Sequence, residues 1–183
     1  MDEKNILDKY IENYKNAYNR NILIIMVGIP GSGKTTISKI LESNGIAKIS
    51  TDDLKNFYNN KEYKINELFE LQYKIIERLM NLNKSVVADS NSDKEIYRNK
   101  LKKLANKHNY ETITIYCYAD KETIYKRMEQ RKKIGKFYVS PDRINKFIKE
   151  LEIPKDSINL NTNLAIEETK KSIQEILNKI KNK

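Results

Sequence analysis

The sequence predicts a three-layer αβα sandwich around a mainly parallel sheet of about five strands, folded as a single domain with a helical lid. Three observations lead there. Short apolar runs without polar alternation recur along the chain, as expected of strands covered on both faces. Between them lie segments with apolar residues every three to four positions, the spacing of amphipathic helices. No repeat, low-complexity tract or Pro/Gly/Ser linker divides the 183 residues, a length suited to one well-formed core rather than two.

Taken in order, Ile6, Leu7, Tyr10, Ile11, Tyr14 and Tyr18 predict an amphipathic helix within residues 1–20. The apolar run Ile22 to Val27 predicts a buried strand that ends at a glycine-rich loop. A helix over Lys34–Ser43 follows, stopped by Gly45, and then a strand over Ile46–Ser50. Helical spacing returns at Ile65, Leu68, Phe69, Ile75, Ile76, Leu79 and Met80, before a strand over Ser85–Ala88 closed by Asp89. A helix through Tyr97, Leu101 and Leu104 leads to a strand over Thr112–Tyr118. Helices near 121–133 and 142–151, a strand over Ser157–Asn161 and a last helix from Ile166 to Ile180 complete the chain. Alternation at this spacing implies right-handed crossovers, and ligands then bind beyond the carboxyl ends of the strands.

Composition narrows the classes. No apolar run approaches the roughly 18–20 residues of a membrane span, and the N-terminus has no signal-like apolar stretch, so the cytosol is the expected location. Cys117 is the only cysteine, which excludes an internal disulfide framework. The net charge of +10 points toward polyanions, but it comes from lysine in a chain rich in Asn, Ile and Tyr. The few arginines are therefore more informative than the lysines.

The strand ends carry the chemistry. After the first strand the chain reads Gly28-Ile29-Pro30-Gly31-Ser32-Gly33-Lys34-Thr35-Thr36, which fits the P-loop pattern G-x-x-x-x-G-K-S/T between a strand and a helix. Its glycines let successive backbone N–H groups turn inward as a nest for phosphate oxygens, and the helix start adds a positive dipole end. Lys34 suits the β- and γ-phosphates of ATP or another nucleoside triphosphate, and the Thr35 hydroxyl suits Mg2+. After the second strand come Asp52 and Asp53, of which one is expected to act on an acceptor hydroxyl and the other to cap the following helix. Asp89, after the third strand, can hold magnesium-bound water or a cation, or else cap the next helix. Arg127 and Arg131 lie four apart on one helical face and lead to Gly135 as a hinge, a lid over about residues 127–141 whose two arginines are expected to act in catalysis by stabilising the charge on the transferring phosphoryl group. His108, at the end of a lysine-rich helix, reads as a surface residue and Cys117 as a buried inert thiol; Tyr58, Tyr63 and Tyr73 read as packing residues rather than base-stacking ones.

The ordered set GIPGSGKTT, STDDLK, VVADSN, KRMEQRKK and VSPDRI resembles the P-loop kinases of the 5′-hydroxyl polynucleotide kinase group, with zeta-toxin-type kinases akin to them. The resemblance runs from about Ile22 to Arg143 and leaves the N-terminal helix outside. It implies Asp52 as general base, Asp89 on the acceptor side and Arg131 as a lid arginine on the donor phosphates, with Arg127 one turn before it. Lys55 stands where those kinases have an arginine that grips the acceptor phosphate, and lysine cannot make that bidentate contact. The expected function is γ-phosphoryl transfer to a polynucleotide 5′-hydroxyl, with a nucleic acid as partner. The alternatives are a kinase for a small molecule, nucleotide or aminoacyl-tRNA and, from another class, a regulatory NTPase switch.

Overall fold

A computed structural model describes residues 3–14, 20–55, 65–90 and 92–181, together with the side chains of most of them. Tyr18, Tyr58, Tyr63 and Asn91 lie outside the described residues, as do the side chains of Ile65 and Ile180. The elements run α1 (Glu3–Asn13), β1 (Ile22–Val27), α2 (Lys34–Ser43), β2 (Ala47–Ser50), α3 (Thr51–Lys55) and α4 (Ile65–Asn81). There follow β3 (Val86–Asp89), α5 (Glu95–Lys107), β4 (Glu111–Tyr118), α6 (Lys121–Lys133), α7 (Pro141–Glu150), β5 (Ile158–Asn161) and α8 (Ile166–Lys181). Every predicted strand and helix is present, most with ends moved by a residue or two, while the N-terminal helix ends at Asn13, short of the predicted Tyr18. The helix expected beside Asp52 and Asp53 is the short α3, which contains both carboxylates and is too brief, at five residues, to show a helical period.

The five strands form one sheet in the order β2-β3-β1-β4-β5, and every pairing is parallel. β1 has strands on both sides and helices over both faces, which is why all six of its residues are buried and none is polar. Its side chains still alternate. Leu23, Ile25 and Val27 face one core with Ile6 and Tyr10 of α1, Leu68, Ile75 and Leu79 of α4, and Leu101 and Ala105 of α5. Ile22, Ile24 and Met26 face the other with Ile37 and Leu41 of α2 and Ile173, Ile176 and Leu177 of α8.

A third, smaller core lies at the carboxyl end of the sheet. Ile29, in the glycine loop, packs with Ile124 and Met128 of α6, Val139 of the loop after it and Ile144 of α7. The end of α7 is tied to the loop after β3, where Glu152 N–H donates to the Asp93 carbonyl (3.0 Å) and Glu95 N–H to Glu152 Oε2 (2.7 Å). Buried Arg98 holds the same loop by donating to the carbonyls of Ser92 (3.0 Å) and Asp93 (3.1 Å). Among the described residues, no helix is long and apolar enough to cross a membrane.

Because β1 is the shared wall of both main cores, Ile25→Ala is expected to cost about 2–5 kcal/mol of unfolding free energy. A urea titration checks this, and a loss below about 1 kcal/mol would contradict the packing.

Candidate phosphate-binding and phosphoryl-transfer site

The loop between β1 and α2 is built by its glycines. Gly28 has φ 147°, and a Cβ there would lie 2.4 Å from the Cys117 carbonyl oxygen of the neighbouring strand and 2.4 Å from Ser32 Oγ. Gly33, at φ 89°, begins α2, and a Cβ on it would meet Thr162 Cγ2 at 3.0 Å. A side chain at either position would force the loop off the sheet.

From behind, α6 and the end of β5 hold the loop in place. Arg127 donates to the Gly31 carbonyl (3.1 Å), to Thr162 Oγ1 (3.1 Å) and to the Thr162 carbonyl (2.5 Å). Thr162 Oγ1 donates to the Ser32 carbonyl (2.9 Å), and Thr162 N–H to the Tyr118 carbonyl (2.9 Å). The structure thus gives Arg127 a set of backbone and hydroxyl partners that bind the loop to β5. Thr162 was not apparent from the sequence; no motif marks a residue whose part depends on a contact 130 positions away.

Lys34 folds back across the loop and donates to the carbonyls of Gly28 (2.6 Å) and Ile29 (3.0 Å). Burial lowers the pKa of its ammonium; Asp89, Cys117 and Asp52 oppose that and Arg131 adds to it. The charges of Asp89, Asp52 and Arg131 therefore all act on Lys34, from three different segments. Ser32 Oγ is buried with no hydrogen-bond partner among the described residues. An orphaned buried hydroxyl in the loop is costly, by about 1–3 kcal/mol, unless an acceptor arrives. A phosphate oxygen is such an acceptor, so the residues present fit a bound nucleotide.

Asp89 ends β3 and is buried, and its Oδ2 accepts from Ser38 Oγ (2.7 Å) one turn beyond Thr35. It does not cap α5, whose N-cap position is Lys94. Burial raises its pKa above the usual carboxylate range, while the Ser38 bond, Lys34 and Lys48 pull it down and Asp52 adds to the rise. Thr35 and Thr36 are exposed at the start of α2. No cluster of three or more His, Cys, Asp or Glu suits a metal among the described residues. A threonine hydroxyl and a carboxylate are donors that magnesium accepts when phosphate oxygens and water complete its shell.

Asp52 and Asp53 diverge. Asp52 is 70% exposed at its side chain and pairs with Lys55 (2.5 Å), whereas Asp53 pairs inward with Lys48. Neither caps the short helix. Ser50 does, its Oγ accepting from the N–H groups of Asp52 (3.2 Å) and Asp53 (3.4 Å), because a residue ahead of the first turn reaches those donors and one inside it does not. Arg131 is on the last turn of α6, next to a loop that turns at Gly135 and carries Phe137, whose ring lies 5.6 Å from Lys55 Nζ. Cys117 is buried, with burial pushing its thiol up to about 12. His108 is half-buried against Glu77 (3.2 Å) rather than at the surface. Tyr73 packs beside the first core and donates to the Tyr97 carbonyl (3.3 Å).

A family model for an AAA domain matches residues 23–154. The chain belongs to that family. Over 199 aligned residues this AAA domain is 24% identical to a Dictyostelium discoideum protein named probable gluconokinase, covering 100% of this chain and 97% of that protein. Kti12 of Chaetomium thermophilum, solved with ADP-AlF3, shares the fold with a TM-score of 0.67 at 16% identity, over 85% of this chain and 97% of that one. The APS kinase CysC of Mycobacterium tuberculosis, solved with AMPPNP and APS, does so with a TM-score of 0.59 at 15% identity, over 88% and 99%. None of these three is named for a polynucleotide.

A carboxyl whose pKa is raised by folding contributes stability below its unfolded value, which is lost as pH rises through the folded one. Asp89→Asn removes that penalty and can still accept from Ser38. In the absence of nucleotide and magnesium it should raise the melting temperature at neutral pH, with the gain shrinking as pH falls toward the ordinary carboxylate range. Thermal melts across pH check the sign; a lower melting temperature at neutral pH would contradict it.

Proposed function

We propose that this AAA domain is a P-loop kinase that moves the γ-phosphoryl group of ATP, or another nucleoside triphosphate, to a hydroxyl of a small polar acceptor. The observation that carries the reading is the loop itself: no Cβ fits at Gly28, Lys34 folds across it, the buried Ser32 hydroxyl has no partner among the described residues, and the carboxylates Asp52 and Asp89 follow the next strands. A regulatory switch needs the loop and the lysine but no exposed carboxylate opposite them.

In this reading backbone N–H groups of the Gly28–Thr35 loop, where Pro30 supplies none, bind the phosphates. Lys34 exchanges its two carbonyl partners for β- and γ-phosphate oxygens as a mobile point charge. Thr35 and Asp89 would hold magnesium, which would supply neutralisation of the phosphate charge. Asp52 takes the acceptor proton as the hydroxyl oxygen bonds to the γ-phosphorus and the bond to the β-phosphate oxygen breaks, leaving the nucleoside diphosphate. Arg131 stabilises the charge spreading onto the leaving oxygens, and the segment around Gly135 acts as the lid that excludes water. Arg127 acts on the loop from behind.

Two features favour a small acceptor over a polynucleotide 5′-hydroxyl. The aligned relative and one structural neighbour are named for small-molecule kinase activities. Lys55, paired with Asp52 and beside Phe137, offers one compact cation where a nucleic-acid phosphate is better gripped by a fork.

The test is transfer of labelled γ-phosphate from ATP to a panel of gluconate and other sugar acids, amino sugars, nucleosides and 5′-hydroxyl oligonucleotides. Label on a small hydroxyl compound is expected. Label confined to oligonucleotides would restore the polynucleotide reading, and nucleotide binding without transfer to any acceptor would favour the switch. With the acceptor in hand, Lys34→Ala should abolish transfer. Asp52→Asn should leave nucleotide affinity unchanged while lowering turnover by about 10²–10⁴-fold. Arg131→Ala should lower it by about 10²–10³-fold, and full activity would remove the residue from the site.

A further inference from the structure

Lysine is rarely buried, and a buried one has to be paired. Lys48 sits in β2 with 6% of its side chain exposed. Its ammonium contacts Asp53 Oδ2 and lies 4.0 Å from Glu42 Oε2, on the last turn of α2. Glu42 Oε1 in turn accepts from the Tyr14 hydroxyl, which also lies 2.9 Å from the Lys48 carbonyl oxygen. Burial, and then the bond to Glu42, raise the Tyr14 pKa, so the phenol stays a donor. A chain of contacts thus crosses from the N-terminal segment, outside the matched residues 23–154, through α2 and β2 into α3.

We propose that Lys48 is a positioning residue, tethered through Glu42 to Tyr14, whose pull on Asp53 turns Asp52 outward toward the phosphate loop. The inference rests on Asp52 being the acceptor-side base, as proposed above. Neighbouring residues on a helix point about 100° apart. Drawing Asp53 inward therefore bears on the direction of Asp52, on a helix only five residues long that is otherwise held by the Ser50 cap and by Leu54, buried in the first core. The charge of Lys48 also reaches Asp89, so one buried cation acts on both acidic positions. Tyr14 explains how the segment before β1 takes part: it holds Glu42 beside Lys48 from a helix anchored in the core through Ile6 and Tyr10.

Lys48→Met tests this without leaving a buried orphan charge, since Asp53 and Glu42 have 48% and 33% of their side chains exposed and can return to water. Three readouts are compared in the whole chain: amide hydrogen exchange over residues 51–55 against 34–43, ADP affinity, and transfer at saturating ATP to whichever panel acceptor is labelled. Lys48→Met should speed exchange in 51–55 alone and leave ADP affinity unchanged. It should also slow transfer about 10- to 100-fold, the cost of misplacing a reacting group by about an ångström. Lys48→Arg should restore most of the rate, which a purely structural loss would not allow. Unchanged exchange in 51–55, or equal losses in exchange protection and ADP affinity at both segments, would overturn the proposal. Should Lys48→Met fail to fold, Tyr14→Phe makes the same comparison by removing one hydroxyl; wild-type exchange and rate in that variant would overturn the link to the N-terminal helix. If the wild-type chain phosphorylates nothing, the kinase reading fails, and the exchange comparison still decides whether Lys48 tethers α3.

Discussion

The structure depends on a backbone conformation that side chains cannot enter. At Gly28 the loop passes so close to the Cys117 carbonyl that any Cβ would collide with it, and at Gly33 it turns into α2 against Thr162. A loop of this kind has no interior of its own and must be braced from outside. The brace is Arg127, whose guanidinium reaches Gly31 and Thr162 together, assisted by Ile29, which plugs the loop into the small core under α6 and α7. Movement of that core would be felt at the phosphate nest, because they share a residue.

The second dependence is electrostatic. Lys48 pairs with Asp53 and Lys55 with Asp52, and the charges of Asp89, Asp52 and Arg131 act on Lys34, beside a sheet whose interior is almost entirely aliphatic. In such surroundings each charge is felt strongly by its neighbours, and each is costly unless paired. Two opposing tendencies result: burial depresses Lys34 and raises Asp89, while their mutual attraction counters both shifts. An arriving triphosphate with magnesium would enter this balance and alter it, which is how a site of modest size can respond to nucleotide.

Many of these features were legible in the sequence. The run Ile22–Val27 announced a strand covered on both faces, the P-loop pattern marked the glycine loop that turns into α2, and Asp52 and Asp89 stand just after and at strand ends, the side where ligands are expected in such sheets. Other features were not legible. Asp53 looked like a helix cap and is an ion-pair partner, because Ser50, one position before the helix, was free to take the cap. Arg127 read as a partner of Arg131 on one helical face; its bonds to Gly31 and Thr162 emerge only when α6 is laid across the loop.

What the sequence by itself determined follows from local rules: strand and helix periods, the glycines that a nest requires, and the order in which chemical groups appear after each strand. What only the tertiary structure decided is pairing across the sheet. That Lys48 is buried between Glu42 and Asp53, that Tyr14 reaches them from before the first strand, and that Thr162 closes the loop from after the last are outcomes of β2 and β5 lying at opposite edges of one parallel sheet. Side chains that meet through such folding leave no spacing in the sequence, since the distance between them is set by packing rather than by position along the chain.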